Sequence, residues 1–273
     1  MIRMLKIILI CFFYFSSCIS NNSTVQDRTE TSLNESEKLN RYNELVSRGN
    51  QLLSVSEYQS AIGVFTEAIR IIPEKPVAYY RRAMAYYLWS KYPREYEQVI
   101  RDITTAIRYD PRNAEYFEFR GDAYFSYSDN YPITNIGRMS SDEYRSREYS
   151  HYITNMNNAI SDYTTASRLD PTNYRYIFRR GSLHLFTKNW NKAIEDLTIA
   201  IENMDPNVMD YRYDISYAYR YRGMAFYEVG NNDLAANDFR QYSELSGNEY
   251  TIERYIVQRN REAEQNMEMG KRR

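Results

Sequence analysis

Small and apolar residues recur along this chain at fixed offsets. The segment Ala106–Gly121, AIRYDPRNAEYFEFRG, is echoed upstream by AIRIIP (Ala68–Pro73) and downstream by ASRLDP (Ala166–Pro171). In each case an Arg precedes a small residue that lies ten positions after the Pro. Those small residues and two further ones mark five units: Gly49, Ala83, Gly121, Gly181 and Gly223, with gaps of 34, 38, 60 and 42. The large residue three places later (Leu52, Tyr86, Tyr124, His184, Phe226) falls on the same helical face. A second stripe follows at spacings of four and three: Ala61, Phe65, Ala68 in the first unit and Ala235, Phe239, Tyr242 in the last. The middle units keep it as Val99, Ile103, Ala106, as Ala159, Tyr163, Ala166, and as Ala193, Leu197, Ala200. Pro73, Pro111, Pro171 and Pro206 end the stripe, because Pro cannot continue a helix and restricts the residue before it. Each unit therefore reads as a helical hairpin whose small residue lets two helices approach. One such hairpin cannot cover its own apolar face, so copies must stack.

This Gly/Ala…Ala…Phe…Ala…Pro order, with its 34-residue first period, resembles the tetratricopeptide repeat family over roughly Arg41 to Ser246. The first-helix Trp common in that family is replaced by Leu45, Tyr79, Phe117, Ile177 and Tyr219. The resemblance implies an all-α fold, a right-handed α-solenoid of about five hairpins. Asn248–Met267 carries Tyr250, Ile252, Tyr255, Ile256 and Val257 before a charged half, and reads as the capping helix that a solenoid requires. The expected divisions are 1–17 signal peptide, 18–37 tether, 38–247 solenoid and 248–268 cap. Extra residues fall near Lys91–Glu95, around Ser126–His151 (an insertion at about 126–151) and around Asn207–Asp214. Insertions map to loops, either functional or simply tolerated at the surface.

The N-terminus is a separate object. Arg3 and Lys6 precede the apolar run Ile7–Phe15, which is too short to span a bilayer, and Ser16, Ser17 and Cys18 follow. The Phe-Ser-Ser-Cys end resembles a bacterial lipobox, with Phe15 where Leu is usual. That resemblance implies lipidation at Cys18 and attachment to the cell envelope, with the outer membrane or periplasmic face favoured by Ile19 after the Cys. Plain secretion is the alternative. Ile19–Ser36 is polar and without aromatics, and reads as a flexible tether with ends about 25 Å apart. Cys11 and Cys18 are the only cysteines, so a mature chain from Cys18 would hold no disulfide.

Composition narrows the function further. A formal net charge of -1 gives no general drive toward nucleic acid. Phosphate loops, His/Cys metal spacing and nucleophile elbows are missing from the sequence, so no catalytic residue, metal or cofactor is assigned. His184 is expected to pack with a hydrogen bond. Arg precedes every small anchor (Arg48, Arg82, Arg120, Arg180, Arg222), and Asp stands in four second helices (Asp102, Asp162, Asp196, Asp238), with Val64 in the first. Paired ions between helices are expected, with an Arg ladder for anions as the alternative.

In the family the concave face is lined by the first helix of each repeat. Carried onto this chain, that face comprises Tyr80, Arg81, Met84 and Tyr87; Glu118, Phe119, Asp122 and Phe125; Phe178, Arg179, Ser182 and Leu185; Arg220, Tyr221, Met224 and Tyr227. Val46, Asn50 and Leu53 are its first-repeat members. Val46 stands where some family members place a carboxylate-gripping Lys, which argues against chaperone-tail recognition of that kind. About half of the aromatic side chains are expected to reach solvent. Tyr, Met and Arg suit interfaces, since they combine contact area with a polar handle. The reading is a non-enzymatic binding scaffold for a protein or extended peptide. Small-ligand binding for transport, with the insertion as a lid, and homo-oligomeric self-association are the alternatives.

Overall fold

The computed structural model describes residues 34–90, 93–130 and 142–271. The signal segment, Cys18 and the tether up to residue 33 lie outside the described residues. So do 91–92 and 131–141 within the expected insertions. The described residues form α1 (Glu35–Ser54), α2 (Tyr58–Ile71), α3 (Pro76–Trp89), α4 (Pro93–Tyr109), α5 (Ala114–Asn130) and α6 (Asp142–Leu169). They continue with α7 (Arg175–Phe186), α8 (Trp190–Asn203), α9 (Met209–Glu228), α10 (Asn232–Ser246) and α11 (Ile252–Lys271). Helices α1 to α10 pair as five hairpins, each helix packing on the next, and α11 follows the fifth. None of the described helices is long and apolar enough to cross a membrane.

Local chemistry sets the boundaries. The first helix starts at Glu35, inside the stretch expected as tether, because Asn34 caps it. Asn34 Oδ1 accepts from the Glu37 amide and the Asn34 amide donates to Glu37 Oε2, both at 2.9 Å. This reciprocal box satisfies donors that a helix start leaves open. Between hairpins, Asp110, Asp170 and Asp205 each accept a bond from the backbone amide two residues on. The Asp before Pro therefore builds the turn that the Pro begins. Within hairpins, Ser56, Lys188 and Gly230 adopt positive φ of 61°, 60° and 86°. Each stands seven residues after its anchor glycine. There the chain closes the helix with paired backbone bonds, such as Ser56 to Leu53 at 3.0 Å and Glu57 to Leu52 at 2.9 Å.

The anchors work by proximity. A Cβ on Gly49 would lie 2.4 Å from the Phe65 ring, on Gly181 2.9 Å from Asp196 Cβ, and on Gly223 2.8 Å from the Phe239 ring. Phe65, Phe239, Tyr163 and Leu197 are almost wholly buried at these crossings. The second unit carries Ala83 instead, packed in one cluster with Ile103.

The insertions behave differently from the loop expectation. Apart from the turn at Asn207 and Val208, their described parts are helix. Ser126–Asn130 extends α5, and α6 runs 28 residues from Asp142, taking in His151. The residues expected as a link before the fifth repeat open α9, which reaches 20 residues. Added turns satisfy their backbone groups internally, so a helix absorbs extra length more readily than a buried loop does.

Candidate functional site

The first helices α1, α3, α5, α7 and α9 carry two rows of arginine. The row just before each anchor points at the second helix of its own hairpin. Arg82, Arg120, Arg180 and Arg222 each hold an Asp with both fork nitrogens, at 2.7–2.8 Å, to Asp102, Asp162, Asp196 and Asp238. Burial pushes the Asp162 carboxyl above the ordinary Asp range despite its partner. Arg48, opposite Val64, is exposed.

These arginines also reach backward. Their third nitrogen donates to a Thr of the preceding hairpin: Thr66, Thr104, Thr164 and Thr198, at 3.0, 3.2, 3.3 and 3.0 Å. A polar spine thus joins successive repeats. Its sequence signal is a Thr two places after the Asp position, a signal that acidic residues alone do not carry. The spine stops at the fifth repeat, where Arg240 follows Asp238 at that offset.

The concave row is less regular. Tyr80, Phe178 and Ser182 are more buried than a groove wall suggests, although Phe178 and Ser182 still line a cavity on this face. The Tyr80 hydroxyl donates to Glu115 at 2.5 Å and its ring sits 5.5 Å from Phe119. Burial, then this bond, raises the Tyr80 hydroxyl well above its ordinary value. Phe178 joins the core of the fourth and fifth repeats, and Ser182 donates to the Phe178 carbonyl at 2.9 Å. Concave positions beside the next hairpin are covered by it, so exposure is lower than expected there. Arg81, Met84, Tyr87, Glu118, Asp122, Phe125, Arg179, Arg220, Tyr221, Met224 and Tyr227 are half-buried.

Three groups of side chains meet on this face. Tyr87 contacts Phe119 with ring centres 5.3 Å apart and shares a 2.9 Å hydrogen bond with Ser126. Glu118 and Asp122 lie one turn apart, and burial raises both carboxyls above their ordinary ranges. Asp122 accepts from the buried Tyr163 hydroxyl at 2.5 Å. Arg179 faces this pair, and its Nε is buried without a hydrogen-bond partner.

The third group forms two adjoining cavities. One, of about 220 Å³, lies between Phe125, Arg179, Phe186, Tyr213, Tyr217 and Tyr221. The other, of about 380 Å³, lies between Phe186, Lys188, Arg220, Tyr221, Met224 and the cap residues Tyr255, Gln258 and Arg259. Phe186 and Tyr221 wall both, with ring centres 5.9 Å apart. Phe186, Lys188, Tyr213, Tyr217 and the cap residues were not expected in the site. The i, i+4 run Tyr213, Tyr217, Tyr221 could have revealed the α9 extension.

Elsewhere, His184 packs as expected, but its Nδ1 is buried without a partner and its Nε2 stands 4.0 Å from Asp196. Burial lowers its pKa. Asn50 is half-buried with Oδ1 unpartnered. Among the described residues no three His, Cys, Asp or Glu gather as metal ligands do.

No family model matches the chain. Hsc70-interacting proteins 1 and 2 of Drosophila melanogaster are 35% identical over 95 residues, 35% of this chain. The matched stretch spans 23% of each relative's length. Among solved structures, YrrB, described as a tetratricopeptide-repeat protein with an unusual peptide-binding site, superposes with a TM-score of 0.55 at 15% identity, covering 75% of this chain and 86% of that one. MamA from Desulfovibrio magneticus RS-1 gives 0.57 at 13% identity, covering 76% and 95%. With the hairpins, the glycine crossings and these superpositions together, the chain has the tetratricopeptide-repeat fold.

Proposed function

We propose that this protein is a non-enzymatic scaffold that holds a protein segment in extended form along its concave face. The carrying observation is the pair of adjoining aromatic cavities that share Phe186 and Tyr221. Two adjoining sockets suit side chains of one extended segment. Aromatic walls supply contact area with few rotatable bonds. YrrB is described as having a peptide-binding site, and the Drosophila relatives are named for interaction with another protein, which supports the same general reading. We further propose attachment of the chain to a bacterial envelope membrane through a lipidated Cys18.

A displayed peptide library selected on the full chain tests the groove. Enriched peptides should lose binding to a Tyr217→Ala, Met224→Ala variant and keep it with convex Leu234→Ala. Enrichment that survives the groove substitutions, or no enrichment at all, would overturn the proposal. Labelled fatty acid should enter the wild-type chain and not Cys18→Ser. Equal labelling refutes the anchor.

A further inference from the structure

The cations of the concave face differ in what they face. Arg175 is paired with Asp214 at 2.8 Å, and Arg179 stands in the field of Asp122 and Glu118. At the cap end the surroundings change. The Arg220 guanidinium lies 4.5 Å from the Tyr250 ring centre, 5.6 Å from Tyr242 and 5.9 Å from Tyr217. One nitrogen reaches the Tyr250 hydroxyl at 3.5 Å, and Nε is buried with no partner. The groups facing it are phenols. Lys188 is exposed on its left-handed turn, its amide bonded to the Leu185 carbonyl at 3.0 Å. Among the described residues neither Lys188 nor Arg220 is ion-paired. Arg259 shares Glu228 at 3.2 Å. All three cations rim the larger cavity, whose floor is Leu185, Phe186, Trp190 and Met224.

We infer that the cap end of the groove is a carboxylate-reading subsite for an acidic, partly apolar peptide segment. This rests on the groove reading above and adds the chemistry of its occupant. A guanidinium fixed by three rings loses little freedom on binding, and its terminal nitrogens, held only by one 3.5 Å bond to Tyr250, suit a carboxylate. The apolar floor takes a neighbouring aliphatic side chain. Glu118 and Asp122 lie toward the third repeat, so the charge gradient sets the acidic end of a bound segment at the cap.

The test uses three labelled peptides of equal length in which Leu alternates with Glu, Gln or Lys. Their binding to the full chain is followed by fluorescence anisotropy. The Glu peptide should bind about tenfold tighter than the Gln peptide, with the margin shrinking as salt rises. Arg220→Gln should remove about tenfold for the Glu peptide alone. Lys188→Asn should remove about threefold. Asn tolerates the left-handed turn, so this variant keeps the test valid if Arg220→Gln unfolds. Exposed Arg70→Gln should change nothing. Equal binding of Glu and Gln peptides would overturn the subsite and leave the groove standing. No binding by any peptide would overturn both. A Glu preference that ignores both substitutions would also refute the assignment.

Discussion

Substituting Gly49 by Ala probes the crossing of α1 and α2, and the sign of the outcome follows from distances. In a helix interior the change contributes about 1 kcal/mol of stability through propensity. Against this, the new Cβ would lie 2.4, 2.5 and 2.9 Å from three atoms of the Phe65 ring. Carbon contacts are favourable only near 3.5–4.0 Å, so the ring must move by about 1 Å. Phe65 has no exposed surface, so its ring must displace other core atoms to move. Overpacking of a filled core costs about 1–3 kcal/mol, and the expected net loss after the propensity gain is about 0–2 kcal/mol. Gly63 is the internal control. A Cβ there meets nothing within 4 Å, so Gly63→Ala should stabilise by about 1 kcal/mol. Gly121, with Tyr163 atoms at 3.1–3.3 Å, should fall between the two. The second hairpin suggests a rescue, since Ala83 shares a cluster with Ile103 rather than an aromatic ring. Phe65→Ile should therefore make Gly49→Ala less costly than it is alone. Urea midpoints followed by circular dichroism report all four variants. A Gly49→Ala protein as stable as Gly63→Ala would refute the close-approach argument.

Further outcomes follow from the polar groups. Asp196→Asn strands Arg180, whose pair has side-chain exposures of 21% and 7%, and should cost about 3 kcal/mol in a denaturant titration. Glu67→Gln, removing one of two exposed partners of Arg41, should leave the denaturant midpoint unchanged, since solvent screens that pair. Thr104→Val leaves Arg120 its Asp162 and removes its bond to the previous hairpin, an expected loss of about 1 kcal/mol by the same assay. Asp122 has a raised folded-state pKa, so its ionised form opposes folding and native stability falls as pH rises through that pKa. Asp122→Asn should therefore raise the thermal midpoint at neutral pH, and the gain should vanish as acidification protonates the wild-type carboxyl. An unchanged gain at low pH would contradict this account.

Which features the sequence disclosed depended on whether their cause is local. The anchors, the Arg before each and the Asp of the second helices hold fixed places within their own helices, so comparing a few units suffices to find them. The Thr half of the spine repeats as regularly, but Thr at a helix surface has many uses and its partner lies in the next unit. The insertions looked like loops because they are polar, whereas Ser126–Asn130 and the start of α9 continue helices whose backbone bonds need no apolar neighbour. Buried Tyr80 differs from its half-buried groove neighbours only through what the following hairpin covers. The larger cavity lay beyond any periodic argument, since Lys188 and Arg259, which both line it, come from a hairpin turn and from a helix outside the repeats.

The joint between the fifth hairpin and α11 is of another kind from those before it. Asp238 has no Thr after it, so the spine ends there, and aromatic rings take over: Tyr250 and Tyr255 lie 5.1 and 5.9 Å from Phe239. The Tyr255 hydroxyl adds a bond to Glu228 at 2.9 Å. That same helix forms one wall of the larger cavity. A cavity wall that can peel away makes apparent affinity scale with the fraction of molecules in which it is docked. Fraying of the end and occupancy of the groove are then one equilibrium. A seated ligand slows amide exchange in α11, and a chain ending at Gly247 loses affinity along with its end seal.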